Sequence, residues 1–277
     1  MIVMSAVADL RFFPSSDGDL AYLDQGSGDL VVLLHSGWVD HRVFDAQIAA
    51  LAPEFRVVAP DVRGHGFSAN ATRPFRWADD LAGLLRHLDA GPAALVGLSM
   101  GGAIATDTVI EYPELVRGVI VCGAATSEFR YTDPWAQRMQ ADCLRALGAG
   151  DIDRWLTALL GFAAGQSRTP GDLGPDIPRR LREMALHTLS KHTPDEKDWH
   201  VPLTDTWARV PEIAVPVLTV NGALDAPDLI AEAERLARTV PDGRSTTIEG
   251  TAHYPNLERP EVFNGIVADF LRALPAR

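Results

Sequence analysis

Runs of β-forming apolar residues recur along this chain with helical stretches between them, and this alternation constrains the fold more than any other feature. Residues 31–34 (Val-Val-Leu-Leu) form a continuous apolar run, and strands are also read at 93–98, 116–121 and 215–220. A strand with one wet face alternates polar and apolar residues, whereas a continuous apolar run requires burial on both faces, as in a parallel sheet. Residues 43–51, 76–88 and 103–111 carry helical spacing; in the second, Trp77, Leu81, Leu84, Leu85 and Leu88 fall on one face. Tyr112-Pro113 stops the third. A strand at 55–59, another at 245–248, and helices at 229–239 and 261–274 continue the pattern. Near the start, strand-like 10–14 and 20–24 flank Ser15-Ser16-Asp17-Gly18, a hairpin signal. The expected fold class is α/β, with a mostly parallel, doubly wound sheet joined by right-handed crossovers.

One stretch breaks the alternation. Residues 127–210 contain no convincing strand but have helical patterns at 135–147, 152–162 and 177–189, with a Gly/Pro-rich connection at 165–178. A crossover between parallel strands needs far fewer residues. The expected organisation is therefore a core of residues 1–126 and 211–277, with 127–210 inserted as a helical cap over the C-terminal edge of the sheet. With 277 residues, 47% of them hydrophobic, a core can form without disulfide or metal staples. A net charge of −12 and the lack of any Lys/Arg-rich run argue against nucleic-acid binding. Cys122 and Cys143 fit no metal or disulfide framework and are expected as reduced thiols. No signal-peptide pattern and no run of membrane-spanning length is read, so the expectation is a cytoplasmic protein with no membrane partner.

The chemistry-bearing motif is Gly97-Leu98-Ser99-Met100-Gly101, followed by Gly102, between an expected strand and an expected helix. In such an elbow the serine hydroxyl stands above the sheet, small residues two positions away on either side avoid collisions, and the helix N-terminus favours developing negative charge. A serine hydroxyl needs a base. His253, in Gly250-Thr251-Ala252-His253, follows the last expected strand and sits on the same rim. Asp225 follows the strand before it and is expected to orient the histidine, with Asp228 competing but better placed to open the next helix. Oxyanion donors are expected from the backbone N–H of Met100 and of Gly37, in the loop His35-Ser36-Gly37-Trp38; Ser36 or Trp38 would serve if the register slips. The run Asp61-Val62-Arg63-Gly64-His65-Gly66-Phe67-Ser68 reads as a structural loop beside the pocket.

Together His35-Ser36-Gly37, the 61–68 loop, the Ser99 elbow, Asp225 and Gly250-x-Ala-His253 resemble the α/β-hydrolase superfamily over essentially the whole chain. The nearest likeness is to small microbial esterases, enol-lactonases and cofactor-free perhydrolases. That resemblance implies a serine hydrolase cleaving a small carboxylic ester or lactone through an acyl-serine intermediate, with catalytic Ser99, Asp225 and His253. Neither cofactor nor metal is expected. Haloalkane dehalogenases and epoxide hydrolases carry Asp where this chain has Ser99. Perhydrolases tend to carry a proline beside the oxyanion donor, and none lies between His35 and Gln47. Substrate contacts are expected from Trp38 and, in the insertion, from Trp135, Met139, Trp155 and Phe162, with Leu159 a further candidate. The expected partner is a small-molecule substrate; a homodimer stays open. Alternatives on the same triad are C–C bond hydrolysis, amide hydrolysis, a thioesterase step, or a receptor that binds a small molecule without turnover.

Overall fold

Every residue of β3 (Leu30–Leu34) is fully buried, which places this strand at the centre of the sheet. The computed structural model describes residues 10–275; the N-terminal residues 1–9, part of the stretch searched for a signal peptide, lie outside the described residues. Eight strands form one sheet in the order β1-β2-β4-β3-β5-β6-β7-β8. The antiparallel hairpin is β1 (Leu10–Ser15) and β2 (Gly18–Gln25), and β2 joins β4 (Arg56–Pro60) antiparallel. From β4 onward all neighbours are parallel, through β5 (Ala93–Leu98), β6 (Val116–Cys122), β7 (Val217–Gly222) and β8 (Gly243–Ile248). The sheet is mostly parallel, as its continuous apolar runs predict.

Successive residues of the central strands feed two cores, because side chains alternate across a strand. Val31, Leu33, Val57 and Val96 face one layer, with α1 (Asp45–Leu51) and α10 (Pro260–Ala273). Leu30, Val32, Val58 and Leu95 face the other, with α2 (Trp77–Leu88), α3 (Met100–Glu111) and α8 (Pro227–Thr239). Between β6 and β7 lie α4 (Pro134–Gly148), α5 (Ile152–Ala164), α6 (Asp176–Leu189) and the short α7 (Thr206–Arg209). The first three of these share a small core of their own, built from Ala146, Trp155, Leu156 and Ala185. Among the described residues no helix is long and apolar enough to cross a membrane.

Several boundaries differ from the sequence reading, and two of them show why. Helix α3 starts at Met100 and not at residue 103. Gly101 and Gly102 lower helix propensity, but packing requires a small residue there: a Cβ on Gly101 would sit 2.0 Å from the Leu34 carbonyl oxygen. The final helix is preceded by a separate turn, α9 (Pro255–Glu258), since Pro260 restarts the chain at a new N-terminus. The sheet order also fixes where a ligand can bind. The chain runs from β3 to β4 on one side and then passes to β5 on the other. The loops leaving β3 and β5 therefore diverge at their C-terminal ends and open a crevice there.

Candidate active site

The loop leaving β5 carries Ser99. The strand is buried throughout, and the chain then turns abruptly at φ 51°, ψ −115° before α3 begins. That conformation is costly for a residue with a side chain. It is held by the Ser99 N–H donating to the Cys122 carbonyl at 2.7 Å, and by the Ser99 carbonyl accepting from Gly102 and Ala103. Gly97 and Gly101 are sterically obligatory, since a Cβ on Gly97 would lie 2.2 Å from the Gly101 oxygen.

His253 and Asp225 arrive from the ends of β8 and β7. Their loops are stitched together by Leu224 N–H to Thr251 carbonyl at 2.8 Å and Ala223 N–H to Ile248 carbonyl at 3.2 Å. Nδ1 of His253 lies 3.1 and 3.0 Å from the two carboxylate oxygens of Asp225. A carboxylate can only accept, so Nδ1 carries the proton and Nε2 is left as the basic nitrogen. Both side chains are buried, and Asp225 also accepts the Ala226 N–H at 2.7 Å. The histidine ring packs edge-on against Phe162 and Tyr254, with centroids 5.0 and 5.2 Å away. Gly123 packs against both side chains with φ 62°, and a Cβ there would lie 3.0 Å from Asp225 and 3.2 Å from the His253 ring. The Ala252 N–H donates to Glu258, which pairs with Arg168 from the 165–178 connection. Asp228 does open α8, as expected, but its carboxylate does not cap that helix. It accepts the N–H groups of Thr132 and Asp133 and the Thr132 hydroxyl at 2.7–2.8 Å, fastening the chain just ahead of α4.

Ser99 borders two cavities. One, of about 220 Å³, is lined by Ser36, Gly37, Trp38, His253 and Tyr254 from the core, and by Met139, Gln140, Cys143, Leu159 and Phe162 from α4 and α5. The other, of about 280 Å³, lies along α3 and takes in Trp77, Asp107, Phe129 and His200. Ser99, Met100 and Tyr131 belong to both. The N–H groups of Gly37 and Met100 donate to no protein acceptor among the described residues, which leaves them free for a substrate oxygen. Gly37 itself has room for a Cβ, its nearest neighbour being the Met100 sulfur at 4.0 Å; the residue with left-handed backbone in this loop is Trp38, at φ 67°.

Of the side chains expected at the pocket, Trp38, Met139, Leu159 and Phe162 line the smaller cavity, while Trp135 and Trp155 line neither. Trp135 is stacked behind Phe162 at 5.6 Å and 12°. Trp155 is completely buried between α4 and α6, its ring edge-on to Trp38 at 5.1 Å. Both correct the sequence reading for one reason: the helices of the insertion bury one aromatic face against each other before they offer another to the cavity.

Neighbouring titratable groups are held in structural roles. His35 is buried and its pKa is lowered by desolvation; its Nε2 accepts the Val62 N–H at 3.0 Å, so the ring is neutral with Nδ1 donating to the Ser36 carbonyl. Asp61 accepts two N–H groups of His41 and the N–H of Phe67, all at 2.8 Å. Arg63 makes a bidentate pair with Asp80 at 2.7 and 2.8 Å. Asp40, His41 and Asp61 bring ligand-type atoms within 4.8 Å of one another, but Arg42 already neutralises Asp40 at 2.5 Å, and the set braces the loop. Tyr254, buried and donating to the Ser36 hydroxyl at 3.2 Å, has its hydroxyl pushed up to about 12 by desolvation. Sequence reasoning missed Tyr131, Tyr254 and Asp107 at the cavities. Asp107 had a usable signal, a charge in the middle of a mostly apolar helix eight residues after the serine.

The chain is similar to known hydrolases along most of its length. The chain is 27% identical over 266 residues to 2-(acetamidomethylene)succinate hydrolase of Mesorhizobium japonicum, covering 90% of each chain. It is 27% identical over 261 residues to 3-oxoadipate enol-lactonase 2 of Acinetobacter baylyi, covering 91% of this chain and 93% of that one. Among solved structures, a thermophilic esterase from Thermogutta terrifontis superposes with a TM-score of 0.74 at 26% identity, over 95% of this chain and 98% of the other. A family model, the alpha/beta hydrolase family, matches residues 31–266, most of the sheet and the whole of the site. The chain belongs to the alpha/beta hydrolase family.

Proposed function

We propose that this protein hydrolyses a carboxylic ester or lactone through an acyl-serine intermediate. Ser99 Oγ attacks the carbonyl carbon while His253 Nε2 takes its proton, and the N–H groups of Gly37 and Met100 receive the oxyanion. The tetrahedral intermediate collapses with departure of the alcohol, which the imidazolium protonates. Water, activated by the same nitrogen, then releases the acid and regenerates Ser99. Asp225 keeps the proton on Nδ1 and stabilises the imidazolium. Residues 127–210 act as the cap that selects substrate, through Met139, Leu159 and Phe162.

The observation carrying this reading is a serine on a strained elbow that shares one cavity with a histidine whose Nδ1 is fixed by a buried aspartate. The free N–H groups of Gly37 and Met100 beside Ser99 support the oxyanion assignment, and the named activities of the relatives support ester and lactone chemistry. The test is turnover of p-nitrophenyl acetate together with labelling by a fluorophosphonate. The expected result is multiple turnovers, an adduct located on Ser99 by peptide mass spectrometry, and loss of both in Ser99→Ala. A single stoichiometric burst would favour a receptor, and an adduct elsewhere that persists in Ser99→Ala would remove the assignment.

A further inference from the structure

The larger cavity has a feature that ester hydrolysis does not require. Ser99, Ala103 and Asp107 follow one another at four-residue steps, so they form a stripe along one face of α3. Asp107 thus stands roughly 12 Å along the helix from the nucleophile, at 1.5 Å per residue. It is 8% exposed and borders the cavity. Buried carboxylates in structural roles collect donors, as Asp61 does with its three N–H groups. Among the described residues Asp107 has hydrogen bonds from Ser127 alone, whose N–H lies 3.4 Å from one carboxylate oxygen and whose hydroxyl also acts on the carboxylate. No Lys, Arg or His of the described residues forms an ion pair with it.

The surrounding charges do not supply a partner. Arg76 also borders the cavity, but its guanidinium is clamped by Asp79 and Glu111, both at 2.7 Å. Glu111, one turn further along α3, and Glu128 add negative potential at Asp107. The rest of the wall is aliphatic, with Ile104, Val201, Leu203 and Leu229, and aromatic, with Trp77, tilted over His200 at 4.0 Å, and Phe129, edge-on to Tyr131 at 4.8 Å. Ring faces attract cations, most strongly when desolvated. Burial pushes the Asp107 carboxyl up to about 6, so near neutral pH it is largely ionised, and a cation beside it would relieve its desolvation.

We infer that the cavity along α3 receives a cationic, amine-bearing limb of the substrate, with Asp107 as its counter-ion and the aromatic wall as its cage. This rests on Ser99 being the nucleophile of an ester hydrolase, and it gives that activity a substrate class: esters or lactones bearing an ammonium group some five or six bonds from the carbonyl carbon.

The test uses charged and neutral isosteres on the purified protein. One pair is 4-(trimethylammonio)butyl acetate and 5,5-dimethylhexyl acetate, with the limb on the alcohol. The other is methyl 5-(trimethylammonio)pentanoate and methyl 6,6-dimethylheptanoate, with the limb on the acyl group. In at least one pair the cationic member should have kcat/KM at least about tenfold higher at pH 8, and Asp107→Asn should bring that ratio close to one. Butyltrimethylammonium should bind Ser99→Ala saturably, read by tryptophan fluorescence and calorimetry, and at least about tenfold more weakly when Asp107→Asn is added. Ratios at or below one in both pairs for the native chain, or ratios unmoved by Asp107→Asn, overturn the inference; the native ratios alone decide if the variant fails to fold. Binding through Asp107 without hydrolysis of any ester would uphold the cation site and sink the hydrolase reading. Turnover with neither binding nor preference would do the reverse.

Discussion

Replacing Asp107 by Asn should make the protein more stable above pH 7 and change little near pH 4. Burial raises this carboxyl from its ordinary 3.8 to about 6, against the opposing hydrogen bonds of Ser127 and with Glu128 and Glu111 adding to the shift. Between those two values the folded protein retains a proton that the unfolded chain has released, so stability falls as pH rises and the loss is complete above about pH 7. Two pKa units at 1.36 kcal/mol each set an upper bound of about 3 kcal/mol. The open cavity beside the carboxylate admits some screening, which brings the expected gain to about 2 kcal/mol. Asn keeps a carbonyl oxygen for the Ser127 N–H and carries no charge to desolvate. An unfolding entropy of about 2.1 cal/mol/K per residue gives the chain about 0.6 kcal/mol/K, so Tm should rise about 3–4 °C at pH 8. About half of that should remain at pH 5. Scanning calorimetry in buffers of matched ionic strength reads the difference. A variant that is equally stable at every pH, or less stable at pH 8, would mean that Asp107 is solvated or paired, and the electrostatic argument for the cavity would fail with it. A residue that lowers stability in this way is one expected to serve function.

Asp225→Asn should leave the fold intact and lower kcat by roughly 10³–10⁴, because His253 would lose its correct tautomer. Asp228→Asn should raise KM a few-fold through loosening of the chain before α4, and kinetics on p-nitrophenyl acetate would expose a misassigned acid if the two effects were exchanged. Trp155→Ala removes a fully buried side chain and should cost about 3–5 kcal/mol of stability, measured by denaturant unfolding. An unfolding midpoint matching the native chain would place Trp155 outside the packed centre of the insertion.

How much of this was legible follows from what each residue had to satisfy. The central strands were readable because burial on both faces demands unbroken apolar runs, and 93–98 matches β5 end to end. The elbow was readable because its glycines are imposed by backbone contacts within five residues or with the neighbouring strand. His253 and Asp225 were placed by following strand ends, and the structure brings them within hydrogen-bond distance. Asp107 was passed over because α3 was begun three residues late, which hid the four-residue stripe running from Ser99. Trp135 and Trp155 were misplaced because periodicity identifies an apolar face without saying whether the cavity or another helix lies against it. The residue with left-handed backbone after β3 is Trp38. A bulky residue keeps such a conformation only where its surroundings over-determine it. Here the surroundings are the Trp155 ring at 5.1 Å and the His192 ring at 6.3 Å, one from α5 and one from just beyond α6. The buried tryptophan of α5 thus packs against the loop that carries Gly37. Packing within 127–210 and the conformation of this loop are thereby coupled, through a contact that links residues 117 positions apart and that helical spacing cannot reveal.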